Sequence, residues 1–235
     1  MFEIKQNIEE LIDRLGNEFR ENPFKFFNEK EIHKRFFDLW IEKRDRCDEI
    51  ERECPTIQKY TKKDGKLIPI DEKSNEANKS NEANIDFVIE KRGKNRKYGL
   101  EFYLGGDTDK RGWYPQRRKR QCYCLPEKNF TFEKGKKHFD NDWEKLTNPK
   151  NPISRGYIVC FLRYWWKERS SENRAKRKKN QLSEHLKNFV KHVKDKTGPE
   201  KNIGNLKETL KNGLELNGEK IRVKIFLQGR SELNV

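Results

Sequence analysis

Asp86 and Glu101 are the residues of this chain whose type and spacing first point to chemistry. They stand in NIDFVIEKRGKNRKYGLEFYL, residues 84–104, where two short apolar runs, Asp86 to Glu90 and Gly99 to Leu104, flank a charged, glycine-containing connection. That pattern predicts a β-hairpin turning about Lys91 to Arg96. Because a strand advances about 3.3 Å per residue, such pairing can bring both carboxylates to one end of the hairpin. Two acids so placed repel unless something positive lies between them. A hard divalent cation would serve, and carboxylate oxygens suit Mg²⁺ or Mn²⁺. In the alternative, both acids face solvent in an ordinary two-stranded turn.

A third carboxylate is set to join them. A helix is expected from about Asn28 to Asp45, with Ile32, Phe36, Leu39 and Trp40 on its apolar face. Glu29 falls one turn before Ile32 and His33 on the edge of that face, so it points toward whatever sheet the helix covers. The helix dipole alone also explains a first-turn glutamate, at about 0.3 to 1 kcal/mol. His33 reads as a packed or partly exposed histidine, with contact to a phosphate or an active site as the other possibility.

Basic segments follow the acids. From Lys110 to Arg120 the chain holds Lys110, Arg111, Arg117, Arg118, Lys119 and Arg120 with no acid, interleaved with Trp113 and Tyr114. Arginines fork onto phosphates and aromatic rings stack on exposed bases, so nucleic-acid contact is the favoured reading. A packed hairpin with a solvated charged rim is the other. A second run, KERSSENRAKRKKN at 167–180, contributes Arg174, Lys176, Arg177, Lys178 and Lys179.

These runs make the charge lopsided. The 235 residues carry a formal +15, yet residues 1–60 hold 12 Lys or Arg against 15 Asp or Glu, which leaves +18 for the remainder. A polyanionic partner is implied, nucleic acid ahead of an acidic membrane, with charge alone not separating DNA from RNA. No run approaches the roughly 18 apolar residues that cross a bilayer, and MFEIKQNIEE carries no apolar signal segment, so a cytoplasmic protein with no membrane partner is expected. Hydrophobic content is low at 32%, but Phe 15, Tyr 7 and Trp 5 supply enough apolar area for a folded domain with a charged exterior. Of the five cysteines, Cys47, Cys54, Cys122, Cys124 and Cys160, the first four could make a four-thiolate site but lack the intervals common in zinc sites, and the odd number argues against a disulfide framework. Cys160 reads as a buried small hydrophobe.

The elements that must position the acids can be read in order. Residues 3–20 form a first helix, through Ile8, Leu11, Ile12, Leu15 and Phe19, closed by Asn22-Pro23. Residues 48–70 predict an irregular hairpin with a Lys63-Asp64-Gly65-Lys66 turn, and 71–83, with its KSNEANKSNEAN repeat, a polar loop. A short helix is expected over 136–147 through Phe139, Trp143 and Leu146, then a strand buried on both faces at GYIVCFLRYWW, 156–166. A helix through Leu182, Leu186, Phe189, Val190 and Val193 and a last pair of edge elements over 207–228 complete the chain. The class is α/β, a central mixed β-sheet flanked by helices. The expected division is an N-terminal helix at 1–24, a core at 25–166 with a basic insertion at 105–135, and a C-terminal basic helix with edge strands at 167–235.

Taken together, Asp86-Phe-Val-Ile-Glu and Gly99-Leu-Glu101-Phe-Tyr103-Leu resemble the D…E-x-K core of the PD-(D/E)xK, or restriction-endonuclease-like, nuclease superfamily. Asn28-Glu29-Lys30-Glu31-Ile32-His33-Lys34-Arg35 is similar to the N-E-R-x-hydrophobic helix start of one subgroup. Asp142-Trp-Glu-Lys145-Leu146 with Gly156-Tyr-Ile-Val is similar to its D-x-x-K-L helix and following G-Y strand. The resemblance implies a restriction-endonuclease-like fold and Mg²⁺, or Mn²⁺, held by Asp86, Glu101 and the carbonyl of Phe102, with Glu29 approaching the metal or its waters. It departs at Tyr103, where the family has lysine. Tyrosine donates a hydrogen bond but brings no positive charge at neutral pH, so Lys110 or Arg111 must swing in or the site is slow or dead.

Three functions are open to such a chain. The first is a metal-dependent DNA endonuclease, possible in a restriction or defence setting and as a homodimer. The second is an inactive or weak nuclease-fold protein that binds nucleic acid, and the third a structural or assembly subunit using Trp113, Tyr114, Trp165 and Trp166.

Overall fold

The computed structural model describes residues 3–21, 26, 28–44, 48–70, 83–92, 97–106, 130–165, 172–198, 209–210 and 212–230, with backbone alone at 3, 164–165, 172–179 and 229–230. Helix α1 (Glu3–Glu21) buries Ile4, Ile8, Leu11, Ile12, Leu15 and Phe19, the stripe expected of a 3.6-residue period. Helix α2 (Glu29–Lys43) starts at Asn28, whose side chain accepts the Glu31 amide at 3.1 Å and so satisfies one of the helix's unpaired donors. Strands β1 (Asp48–Pro55), β2 (Tyr60–Lys63), β3 (Lys66–Pro69), β4 (Asn84–Lys91) and β5 (Lys97–Gly105) follow. Then come α3 (Phe132–Thr147), β6 (Arg155–Trp165), α4 (Glu172–Thr197), β7 (Leu214–Asn217) and β8 (Ile221–Arg230).

Six strands make one mixed sheet in the order β1-β4-β5-β6-β8-β7, antiparallel from β1 to β5, parallel from β5 through β6 to β8, and antiparallel again at β7. The parallel step from β5 to β6 needs a crossover, and α3 lies on it. Both faces are covered. On one, α1 and α2 enclose Phe36, Trp40, Phe87, Leu100, Phe102, Phe161 and Phe226. On the other, α3 and α4 enclose Tyr103, Phe139, Phe189, Ile158, Cys160 and Ile225. The α/β class with a flanked mixed sheet is therefore as expected. Among the described residues no helix is long and apolar enough to cross a membrane.

Three element readings are corrected. Residues 48–70 do not form one hairpin: Asp64 and Gly65, with φ of 52° and 73°, turn β2 into β3, while β1 leaves to pair with β4. The reason is that β1 can set Ile50 opposite Ile89 on a sheet that covers it, and β2 cannot. Helix α3 opens at Phe132 rather than 136, because Phe132 packs against the α3–α4 core. Strand β8 is interior, paired on both sides and burying Ile221, Val223, Ile225 and Phe226, so that β7 alone of that pair is an edge.

Strand β5 has a divided ladder, and this creates the site. Its pairing with β4 stops at Phe87 and Leu100, while its pairing with β6 runs on to Gly105. Beyond Leu100 the β4-facing edge of β5 is open, and its amides need other partners. Across from this point, Glu53 of β1 has a φ of 50° at the position where the β1–β4 ladder skips Asp86.

Candidate active site

The two amides that the open edge leaves unpaired are taken by carboxylates. Asp86 Oδ2 accepts the Phe102 amide at 2.7 Å, and Glu29 Oε2 accepts the Leu104 amide at 3.4 Å. In a strand the N–H and C=O of one residue point to the same side, so the Phe102 carbonyl also faces this edge. Glu29 reaches it because α2 begins here. The acid that the helix start favours thus lies against the sheet, as its position in the sequence indicates.

Lys145 is the cation of the site. Its ammonium lies 2.6 Å from Glu101 Oε1 and 3.0 Å from Asp142 Oδ1, and it donates to the Asn84 carbonyl at 3.1 Å. The contact with Glu101 is a close ion pair. Glu101 is 1% exposed, and Asp142 and Lys145 are each 8% exposed, so these charges are held away from bulk water. His33 Nε2 lies 3.2 Å from Asp86 Oδ2 on the α2 side.

Ionisation follows from this packing. Burial, outweighed by Glu101, Asp142 and Asp86 together, leaves Lys145 firmly protonated, with its pKa raised above the ordinary value. Burial raises Glu101 well above the usual carboxylate range, against the pull of Lys145. Asp142 is pushed up to about 6, again by burial first. Asp86 would rise on burial too, but the hydrogen bond and charge of His33 bring it below its ordinary value, and His33 rises in turn. The arrangement has four acids, Glu29, Asp86, Glu101 and Asp142, against Lys145 and a titrating His33.

Glu29 reports this excess of negative charge. Burial, then Asp86, raise it from 4.5 to about 7. A carboxyl whose folded pKa lies above its unfolded value loses stability as pH rises, here from about 4.5 to about 7. Glu29→Gln removes that loss. Discounted for partial solvent exposure, the variant is expected to gain about 1 to 2 kcal/mol at pH 8 and nothing at pH 4, measured by urea unfolding.

Glu29, Asp86, Glu101, Asp142 and Lys145 line an open cleft of about 560 Å³, together with Lys62, Leu67, Ala83, Asn84, Phe102, His138 and Asn141. Among the described residues, no group of three or more His, Cys, Asp and Glu converges to hold a metal ion. The oxygens that face the cleft from Asp86, Glu101 and Phe102 are nonetheless of the hard type that divalent Mg²⁺ or Mn²⁺ takes. An ion there would also offset the carboxylate charge that Lys145 leaves unbalanced. The donors are thus of the chemical type such an ion takes, without being drawn together around one point among the described residues.

The structure joins Glu29, Asp86, Glu101 and Phe102 in one cleft. Tyr103, on the same face of β5 as Glu101, is buried and stacked on His138 with ring centroids 4.7 Å apart. The residues of the basic run, Lys110, Arg111, Trp113, Tyr114, Arg117, Arg118, Lys119 and Arg120, lie outside the described residues, as does Trp166. Arg174 and Lys176 to Lys179 fall in the first turns of α4, without described side chains. Asp142 and Lys145 were not among the site residues expected from the sequence. Their i, i+3 spacing beside Phe139 and Leu146, on the face that turns inward, was the available signal.

The chain matches no protein-family model, no curated protein and no solved structure.

Proposed function

We propose that this chain is a metal-dependent DNA endonuclease of the restriction-endonuclease-like kind. The observation that carries the reading is the constellation of half-buried Asp86 with buried Glu101 and Lys145 at the point where β5 parts from β4, open to a cleft. The family resemblance calls for an amine beside the second carboxylate, and Lys145 from α3 meets that need where Tyr103 does not.

Asp86, Glu101 and the Phe102 carbonyl would hold Mg²⁺ or Mn²⁺, which supplies Lewis acidity toward a phosphate and lowers the pKa of water. Lys145 remains an ammonium, so it acts as a donor rather than a base. Beside Glu101 it can give a hydrogen bond to a phosphate oxygen whose charge grows as the P–O bond breaks. His33 fixes the orientation of Asp86 through the 3.2 Å contact. Glu29, half protonated near neutral pH, can take a proton from water on the helix side of the cleft. In-line attack would leave a 3′-hydroxyl and a 5′-phosphate.

The test is incubation of the full chain with supercoiled, linear and single-stranded DNA in Mg²⁺ and then Mn²⁺. Cleavage is expected; no cleavage of any substrate, with no metal-dependent rise in melting temperature, would sink the proposal. A second reading is a nucleic-acid-binding protein on the same fold. It is favoured by Lys145 already being paired with two acids and by the lack of a converged set of metal ligands among the described residues. Salt-sensitive binding that survives Asp86→Ala, without cleavage by the wild type, is its signature.

A further inference from the structure

The cleft has two unlike walls. Carboxylates form one, while Lys62 of β2 and His138 and Asn141 of α3 form the other. The second wall belongs to the small β2–β3 hairpin docked on α3, outside the basic runs seen in the sequence. We propose that this hairpin and the outer face of α3 form a nucleic-acid grip, in which Lys62, Lys134 and Lys137 take successive phosphates of the strand that the acidic wall acts on. The inference rests on the nuclease reading and adds to it the surface that seats the backbone.

The hairpin is fixed in place rather than draped. Asn141 Oδ1 accepts the Leu67 amide at 2.8 Å, and Asn141 Nδ2 donates to the Gly65 carbonyl at 3.1 Å. At its base, Asn151 Oδ1 accepts the Gln58 amide at 3.0 Å and Asn151 Nδ2 donates to the Lys145 carbonyl at 2.7 Å, so one side chain ties the hairpin to the residue that carries the site's cation. Gln58 Nε2 donates to the carbonyls of Lys59 and Ile70, which closes the hairpin's open end. A grip whose elements are already held loses less order on binding.

The lysines converge on the same wall. Lys137 lies over the hairpin turn, where a Cβ on Gly65 would collide with the end of its side chain. Lys134 stands one helical turn before His138. His138 is held below its ordinary pKa, by burial first and then by the positive charge of Lys145, Lys137, Lys62 and Lys134. The imidazole is thus neutral and offers hydrogen bonds rather than charge. Among the described residues, Lys62, Lys134 and Lys137 have no carboxylate partner at ion-pair distance, whereas Lys145 has two. Cations that are unpaired, close together and beside a cleft are what an anionic backbone recognises.

The experiment compares the wild type, the Lys62→Glu Lys137→Glu double variant and the charge-matched control Lys196→Glu, which changes an exposed lysine in the last turn of α4. Binding of a fluorescent 24-base duplex and of its single strand is followed by anisotropy in EDTA across a salt series, so that no cleavage intervenes. The double variant is expected to bind roughly 10 to 100 times more weakly, with the slope of log affinity on log salt flatter by about two, while the control stays within about threefold. In Mg²⁺ the loss should fall on KM, with kcat kept within about threefold. Wild-type affinity and slope in the double variant overturn the grip and leave the nuclease proposal standing. If the wild type binds neither nucleic acid, the grip falls, and cleavage in Mg²⁺ and Mn²⁺ decides the nuclease proposal separately. If it binds but does not cut, the grip is still decided by the binding comparison.

Discussion

Lys145→Met is expected to cost about 3 to 5 kcal/mol of folding stability near pH 8, because it strands Glu101 and Asp142 in the interior without their cation. The deficit should depend on pH. Asp142 already titrates at about 6 and Glu101 higher than usual even with Lys145 present. Without the ammonium both rise further, so the folded state holds protons that the unfolded chain has released. Stability of the variant therefore falls as pH climbs through the neutral range and recovers toward pH 5. Urea unfolding at pH 5 and pH 8 measures this. A deficit of the same size at both pH values would mean that lost packing, not unpaired charge, is responsible. On the nuclease proposal the same change lowers cleavage by roughly 10²- to 10³-fold, since the donor is needed as charge develops on the phosphate.

Asp86→Asn should act in the opposite manner, large on chemistry and small on folding. The asparagine oxygen can still accept the Phe102 amide that Asp86 accepts at 2.7 Å, so the divided ladder of β5 keeps its partner. What disappears is the negative charge that would hold a metal ion and that raises His33. Cleavage is expected to fall by about 10³-fold or more, which is at least about 4 kcal/mol of transition-state stabilisation. DNA affinity should hold or rise slightly, because one anion has left a site that receives another. NMR titration of the His33 ring supplies an independent readout: its pKa must drop in the variant. An unchanged His33 titration would show that the 3.2 Å contact with Asp86 does not govern it.

Much of the site was legible because it lies in local patterns. The antiparallel pairing of β4 with β5, the inward edge of α2 and the apolar run of β6 each follow from a period of two or 3.6 residues, and they bring Asp86, Glu101 and Glu29 together. The cation was harder to find. Lys145 stands 44 positions beyond Glu101 and reaches it only because α3 crosses from β5 to β6, a contact that no local spacing reveals. Proximity along the chain points from Tyr103 to Lys110 or Arg111, whereas the ammonium that reaches Glu101 comes from the helix packed above. The second wall was missed for a similar reason. Lys62 and Lys137 are ordinary surface lysines in the sequence, and only the docking of β2 and β3 on Asn141 sets Lys62 on the cleft wall and the end of Lys137 over the hairpin turn. Pairing of β1 with β4 was hidden by the tempting Asp64-Gly65 turn, which is real but closes a smaller hairpin.

The central claim is that Asp86, Glu101 and Lys145 form a phosphodiester-cleaving centre, and parallel purification of wild type, Asp86→Asn and Lys145→Met tests it most directly. Each is incubated with supercoiled plasmid in Mn²⁺ at a pH and temperature where urea unfolding shows all three folded, and nicked and linear products are counted over time. Wild-type protein should convert the plasmid while both variants leave it supercoiled, and chelation should stop the reaction. Equal nicking by all three, or none by the wild type in either Mn²⁺ or Mg²⁺, would contradict the account.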